Sequence, residues 1–96
     1  MTRAAAIEEH AAEIRALVSR RRAANPRVFG SVLRQEDGET SDIDILVDAL
    51  PGATLFDLGA LQMDLEDLLE APVDLLTPRD LAPAIRAKIL ADARAI

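Results

Sequence analysis

Gly30-Ser31-Val32-Leu33-Arg34-Gln35-Glu36-Asp37-Gly38-Glu39-Thr40-Ser41-Asp42-Ile43-Asp44-Ile45-Leu46-Val47-Asp48 is the stretch that the rest of the chain serves. Its end reads as a strand over Ile43–Asp48. The unbroken apolar run Ile45-Leu46-Val47 suits a central position covered on both faces. Side chains alternate along a strand with period two, so Asp42 and Asp44 share a face. Like charges held side by side repel, and desolvation sharpens the conflict. A divalent cation removes it, and hard oxygen ligands suit magnesium. The beginning of the stretch is complementary. Val28-Phe29-Gly30-Ser31 is an apolar run closing on a glycine, which allows unusual turn angles and close approach of a ligand to the backbone. Ser31 can cap a following helix or donate its hydroxyl to a phosphate. A phosphate cradle and a metal-binding pair in one stretch suit nucleotide chemistry, in which a metal bridges phosphate and carboxylate.

Upstream, Thr2 to about Ala23 reads as one helix. Ile7, Ala11, Ile14 and Val18 recur at helical spacing, and Leu17 widens the stripe. Glu8, Glu9 and Glu13 precede Arg20, Arg21 and Arg22, the order a helix dipole favours, and Asn25-Pro26 is expected to end the helix. The arginines read as a solvated last turn, and His10 as exposed and without a role. Arg27–Gly30 is predicted as a short strand, Ser31–Gln35 as a brief helix, and Glu36–Thr40 as a loop.

Downstream, Leu50-Pro51-Gly52 is a turn. Thr54–Glu70 is the clearest helix. It opens on Thr54 with Asp57 as a capping box, and Leu55, Leu58, Leu61, Leu65, Leu68 and Leu69 form its expected buried stripe. Asp64, Glu66 and Asp67 are assigned to its outer face. Pro72–Leu76 is a third strand, and within it Asp74 is anomalous. A charge inside the apolar run Val73-Asp74-Leu75-Leu76 is costly to bury unless paired or metal-bound. Thr77-Pro78-Arg79-Asp80 starts a short helix with proline at its first position. A last helix runs from Pro83 to about Ala93 with Ile85, Ile89 and Leu90 inward. The alternation of strands and helices predicts an α/β domain with a small sheet of three or four strands.

The whole chain narrows the options. Its 96 residues suggest one small domain spanning 1–96. With no cysteine and one histidine it has neither disulfides nor a zinc site, which fits a reducing cytoplasm. No run approaches the roughly 18 apolar residues of a membrane span. A net charge of −6 argues against direct nucleic-acid binding and allows basic protein partners. The chain contains no tyrosine, so any tyrosine it modifies belongs to another molecule.

Taken singly, Gly30-Ser31 is an ordinary turn and cap, Asp42-Ile43-Asp44 a polar strand entry, and Asp74 an edge-strand residue. Together the pattern resembles the polymerase-beta-like nucleotidyltransferase superfamily: Gly30-Ser31, ten residues, then Asp42-Ile43-Asp44, followed by Val73-Asp74-Leu75-Leu76-Thr77-Pro78. It is most similar to the minimal nucleotidyltransferases, many of which are antitoxins. The resemblance implies a mixed β-sheet with flanking helices, in which the Asp42–Asp44 strand lies beside the Asp74 strand. It implies that Asp42, Asp44 and Asp74 hold two magnesium ions, with Asp74 helping to deprotonate the acceptor. Gly30 and Ser31 would grip the β- and γ-phosphates of ATP. Arg34 stands where the family carries arginine, and both phosphate contact and plain solvation fit it. The partner implied is a HEPN-type ribonuclease toxin held in a hetero-oligomer and silenced by transfer of AMP to a tyrosine. Silencing by binding alone is the alternative. A stand-alone small-molecule nucleotidyltransferase is a weaker third reading, since no acceptor-binding region is evident.

Overall fold

The computed structural model describes residues 2–30, 32–33 and 42–96. The helix expected over Ser31–Gln35 and the loop Glu36–Thr40 fall largely outside them. Of that stretch Val32 and Leu33 are described, in a turn, and Val32 is buried in the core.

The N-terminal helix comes as two segments, α1 (Arg3–Glu9) and α2 (Ala11–Arg20). Thr2 caps the first by accepting the Ala5 N–H at 3.1 Å. The break falls at His10 (φ −103°, ψ 16°), although the Ile14 N–H still donates to the His10 carbonyl across it. His10 is half-buried, and its Nδ1 lies 3.0 Å from Glu13 Oε1. Ile7, Ile14 and Val18 point into the core as the periodicity requires. Arg22 then adopts a left-handed conformation (φ 58°), which stops α2.

The first strand, β1 (Ala23–Phe29), begins four residues before the expected Arg27. Asn25-Pro26 therefore lies inside it rather than in a loop. The register slips between Ala24 and Arg27, and Asn25 is left-handed (φ 53°). A bulge is one of the few places where a strand tolerates a proline, because the missing N–H leaves no gap in the ladder there.

The remaining elements are β2 (Ile43–Ala49), α3 (Leu55–Leu69), β3 (Val73–Leu76), a 3₁₀ turn (Pro78–Asp80), α4 (Pro83–Asp92) and β4 (Arg94–Ala95). The sheet order is β3-β2-β1-β4. β2 and β3 run parallel, and the other pairs are antiparallel. This is the mixed sheet that the resemblance implies, with β2 beside β3. β4 is too short to announce itself in the sequence. It pairs Arg94 and Ala95 with Val28 and Arg27 and closes the far edge.

β2 is central and fully covered: Ile43, Ile45, Leu46 and Val47 are all 0% exposed. Ile43, Ile45 and Val47 join Ile14, Val18, Leu61 and Leu65 in the main core under α1, α2 and α3. Leu46 faces the other way and packs with Phe29 and Leu81, against which Leu76 and Ile89 also rest. Each such leucine contributes about 1.5–3 kcal/mol by leaving water.

α3 starts as expected on a capping box. Thr54 Oγ1 accepts the Asp57 N–H at 3.1 Å, and Asp57 Oδ2 accepts the Thr54 N–H at 3.0 Å. Its buried stripe is narrower than the leucines suggested. Leu61, Leu65 and Leu69 are buried, Leu58 and Leu68 half-buried, and Leu55 is 88% exposed in the first turn. Glu66 is not a solvated outer-face residue, because its carboxylate accepts the Val73 N–H at 3.0 Å. Asp64 likewise takes Arg21 as a partner at 3.4 Å, so that arginine ties α2 to α3. α4 also differs from expectation: Ile85 and Leu90 are exposed, and only Ile89 turns partly inward. The helix is held at its start by Arg86, which donates to the Pro78 and Leu81 carbonyls at 2.8 and 3.0 Å.

Candidate active site

The acids of β2 fall on the face opposite the main core, because they alternate with Ile43, Ile45 and Val47. Asp48, at the far end, is neutralised within the protein. Asn25 Nδ2 donates to it at 2.8 Å and Arg27 Nη2 at 3.1 Å, and these two bonds hold its carboxyl below the ordinary carboxylate range. The near end is different. Asp44 is flanked in register by Phe29 of β1 and by Asp74 of β3. Register partners point to the same side of a sheet, and neighbouring strands are about 4.8 Å apart, so two carboxylates stand side by side. Asp42 sits just before the strand, two residues back, where strand alternation carried one residue further would put it on the same face. The side chains of Asp42 and Asp74 form no hydrogen bond or ion pair with a described residue. Both are exposed, and Asp44 is half-buried. Asp74 is therefore not the buried charge that its apolar neighbours suggested; β3 is an edge strand, and the residue reaches solvent.

Gly30 completes the arrangement. It closes β1 with φ +76°, and a Cβ built on it would lie 2.2 Å from Asp44 Oδ2. The Asp44 carboxylate thus rests against bare backbone where no side chain fits. Two causes require glycine here, the positive φ and the close approach. Buried Val32, two residues on, pins the chain direction beyond this turn. Ser31 and Arg34 lie outside the described residues. Beside Gly30 opens a groove of about 490 Å³, lined by Phe29, Leu33, Ile85 and Ile89 and bordered by Lys88 and Asp92.

Three carboxylates at one sheet end form a hard-oxygen donor set of the kind magnesium takes. In their present rotamers, no three His, Cys, Asp or Glu side chains among the described residues converge closely enough to hold one ion. The residues fit the metal in the chemistry of their donors, and side-chain rotation would be needed to bring them onto one ion.

The sequence pattern of the family described as "Polymerase beta, Nucleotidyltransferase" matches residues 13–96, which include every one of these positions. The chain belongs to the polymerase beta nucleotidyltransferase family. Within it, this nucleotidyltransferase is 46% identical over 66 residues to a Methanocaldococcus jannaschii protein named "Putative protein adenylyltransferase", covering 69% of this chain and 71% of that one. Its fold is similar to that of a solved "putative minimal nucleotidyltransferase", with a TM-score of 0.76 and 42% identity over 94% of this chain and 93% of the other. A crystal structure of a toxin–antitoxin with AMP-PNP shares the fold at a TM-score of 0.69 and 22% identity, over 83% of this chain and 66% of that one.

Two features of this family member went unread in the sequence. One is the groove, whose walls come from Leu33 and α4; Ile85 and Ile89 looked like core positions. The other is the Glu66 bond to Val73, which anchors the strand residue next to Asp74. Glu66, three residues after Met63 on the helix and seven before Val73, carried no sequence signal for that role. Among the described residues no helix is long and apolar enough to cross a membrane.

Proposed function

We propose that this chain is a magnesium-dependent protein adenylyltransferase that moves AMP from ATP to a tyrosine of a HEPN-type ribonuclease toxin, and so serves as the antitoxin in a reducing cytoplasm. The observation that carries the reading is the register of Asp44 with Asp74 across the parallel pair, with Gly30 backbone against Asp44. The name of the Methanocaldococcus jannaschii relative supports AMP transfer to protein, and the toxin–antitoxin neighbour supports the kind of partner. The chain has no tyrosine of its own, which fits an acceptor on another molecule.

In this reading the acceptor oxygen attacks the α-phosphorus. The bond from that phosphorus to the α–β bridging oxygen breaks, and pyrophosphate leaves with the electron pair. The phenolic proton passes to Asp74, a carboxylate on the exposed sheet edge where a large acceptor has access. Gly30 and Ser31 present backbone and hydroxyl donors to the β- and γ-phosphates, and Arg34 adds charge to the same grip. Asp42, Asp44 and Asp74 would hold the magnesium, whose charge when bound offsets that of the phosphates and of the leaving pyrophosphate.

A second reading keeps the partner and drops the chemistry: the chain silences the toxin by contact alone. The toxin–antitoxin neighbour supports a partner of this kind equally well without chemistry. One experiment separates the two. The chain is mixed with the toxin, ATP labelled at the α-phosphate, and magnesium. Label on a toxin tyrosine, lost in Asp42→Asn with Asp44→Asn, supports transfer. A toxin that is inhibited but unlabelled supports binding alone.

A further inference from the structure

The outer face of α3 carries an apolar stripe that the chemistry above does not use. Phe56 is 81% exposed and Met63 66%, two turns apart along the helix. Gly59 and Ala60 lie between them. A Cβ built on Gly59 would meet no atom within 4 Å, so the surface there is a notch between two large side chains. By helical spacing these four residues stand opposite Leu61 and Leu65, which are buried against the sheet. A contiguous exposed apolar stripe of this kind marks a contact surface. We propose that a second copy of the chain docks here, with the two α3 helices antiparallel about a two-fold axis passing between Gly59 and Ala60.

The spacing selects a second copy as the occupant. In a two-fold contact residue i meets j, and j meets i. Gly59 and Ala60 are midway between Phe56 and Met63, so that axis sets Phe56 of each copy against Met63 of the other. A sulfur–aromatic contact is thereby made twice. Small residues at the crossing let the helix axes approach to about 8 Å. Charge fixes the direction. Asp64, Glu66 and Asp67 crowd the second half of α3, and the helix has no basic residue. A parallel pair would align these acids, whereas an antiparallel pair sets them along the start of the other helix. There the positive end of the helix dipole favours an acid. Asp67 and Gly52 are equally far from the midpoint, on opposite sides, so Asp67 of each copy comes over Gly52 of the other. The Gly52 carbonyl accepts from Arg22 Nη1 at 3.2 Å, which puts an exposed guanidinium at that spot. Asp67 is exposed, and its side chain forms no hydrogen bond or ion pair with a described residue. The catalytic acids lie on the other face of the sheet from α3, so both sites of the pair stay open. Each copy carries a net charge of −6, and two crossing helices cover less than the roughly 800 Å² per partner of a long-lived complex. The pair is therefore reversible, with a dissociation constant expected between about 1 μM and 1 mM.

The first measurement is sedimentation equilibrium at chain concentrations up to about 1 mM. Interference optics are used, since the chain has neither tyrosine nor tryptophan. The wild type is expected to dimerise, and Phe56→Glu, at an exposed site that accepts the charge, to weaken association about tenfold or more. Asp67→Arg should weaken it about threefold or more, and adding Arg22→Glu to that variant should restore it. The second measurement is crosslinking. The chain has no cysteine, so a single one can be placed at will. Ala60→Cys, next to the axis, should oxidise to a disulfide-linked dimer within the short reach of that bond. Ala12→Cys, exposed on α2, should not. Melting temperatures of all variants are recorded, and each is expected within a few degrees of the wild type. A wild type that stays monomeric throughout, or Ala60→Cys that crosslinks no faster than Ala12→Cys, would overturn the proposal. So would a dimer that Phe56→Glu leaves intact, which would lie on another surface. A monomeric wild type whose binding to the toxin is lost in Phe56→Glu would give the stripe to that partner, and the proposal would fall while the transfer reading stands.

Discussion

Replacing Gly30 with alanine probes the site at its tightest point. The new Cβ would stand 2.2 Å from Asp44 Oδ2, whereas ordinary contact begins at 3.4 Å, so the carboxylate must retreat by the difference, about 1.2 Å. The left-handed φ of +76° adds strain of about 1–2 kcal/mol for any residue with a Cβ. In a domain of this size that strain lowers the melting temperature by roughly 4–16 °C. Transfer should suffer out of proportion, because displacing a reacting group by about 1 Å costs on the order of 100-fold in rate. Gly52→Ala is the control. Its φ is +91° and a Cβ would meet only the flexible tip of Arg22, at 3.3 Å. It should lose similar stability and keep its transfer rate. The assay pairs thermal unfolding with initial rates of label transfer well below either melting point. If the two alanine variants lose activity equally, or Gly30→Ala keeps wild-type activity, then the contact between Gly30 and Asp44 has no part in function.

Other substitutions test separate links. Asp42→Asn with Asp44→Asn should abolish transfer and leave the melting temperature unchanged or raised, since it relieves like-charge repulsion; calorimetry and the label assay check both. Ser31→Ala should slow transfer less than the double acid variant does, because backbone donors remain, and initial rates at saturating ATP show it. Glu66→Ala should cost about 1 kcal/mol by removing the acceptor of the Val73 N–H, read by urea unfolding, and should slow transfer by loosening the strand that carries Asp74. Glu66→Gln keeps an acceptor and should restore most of both. Asp48 has a folded-state pKa below its unfolded value, so its contribution is present above the unfolded pKa and fades as pH falls through the folded one. Asp48→Asn should therefore lower stability at neutral pH and flatten the stability loss seen below about pH 4, as melting temperatures across that range would show.

Much of this architecture was legible in the residues, and the failures have physical causes. β2 was readable because a central strand must be apolar on both faces, and Ile45-Leu46-Val47 shows that directly. The α3 start was readable because the Thr54 and Asp57 side chains satisfy the first backbone donors locally. The split at His10 was not, since hydrogen bonding runs on across it and the apolar spacing never changes. β1 was shortened because Asn25-Pro26 looks like a stop; only tertiary pairing with Ala49 and Asp48 turns it into a bulge. β4 depends wholly on β1 being next to it. Hydrophobicity alone places Leu55, Ile85 and Leu90 inward, and it cannot tell an apolar residue that is covered from one left on an exposed helix face.

The site divides in the same way. Spacing alone put Asp42 and Asp44 on one face, and the family resemblance set Asp74 beside them. The pressure of Gly30 against Asp44 and the groove beyond it arise from chain crossings that no local pattern encodes. The exposure of Asp74 follows from β3 being an edge, which depends on sheet order.

The central claim is that Asp42, Asp44 and Asp74 act together on one nucleotide-bound cation cluster. Its most direct test is manganese binding followed by electron paramagnetic resonance, with a non-hydrolysable ATP analogue present, in wild-type protein and in Asp74→Asn. Two bound ions in the wild type, with at least one weakened by loss of the Asp74 carboxylate, is the result expected here. Manganese binding in Asp74→Asn that matches the wild type would contradict it.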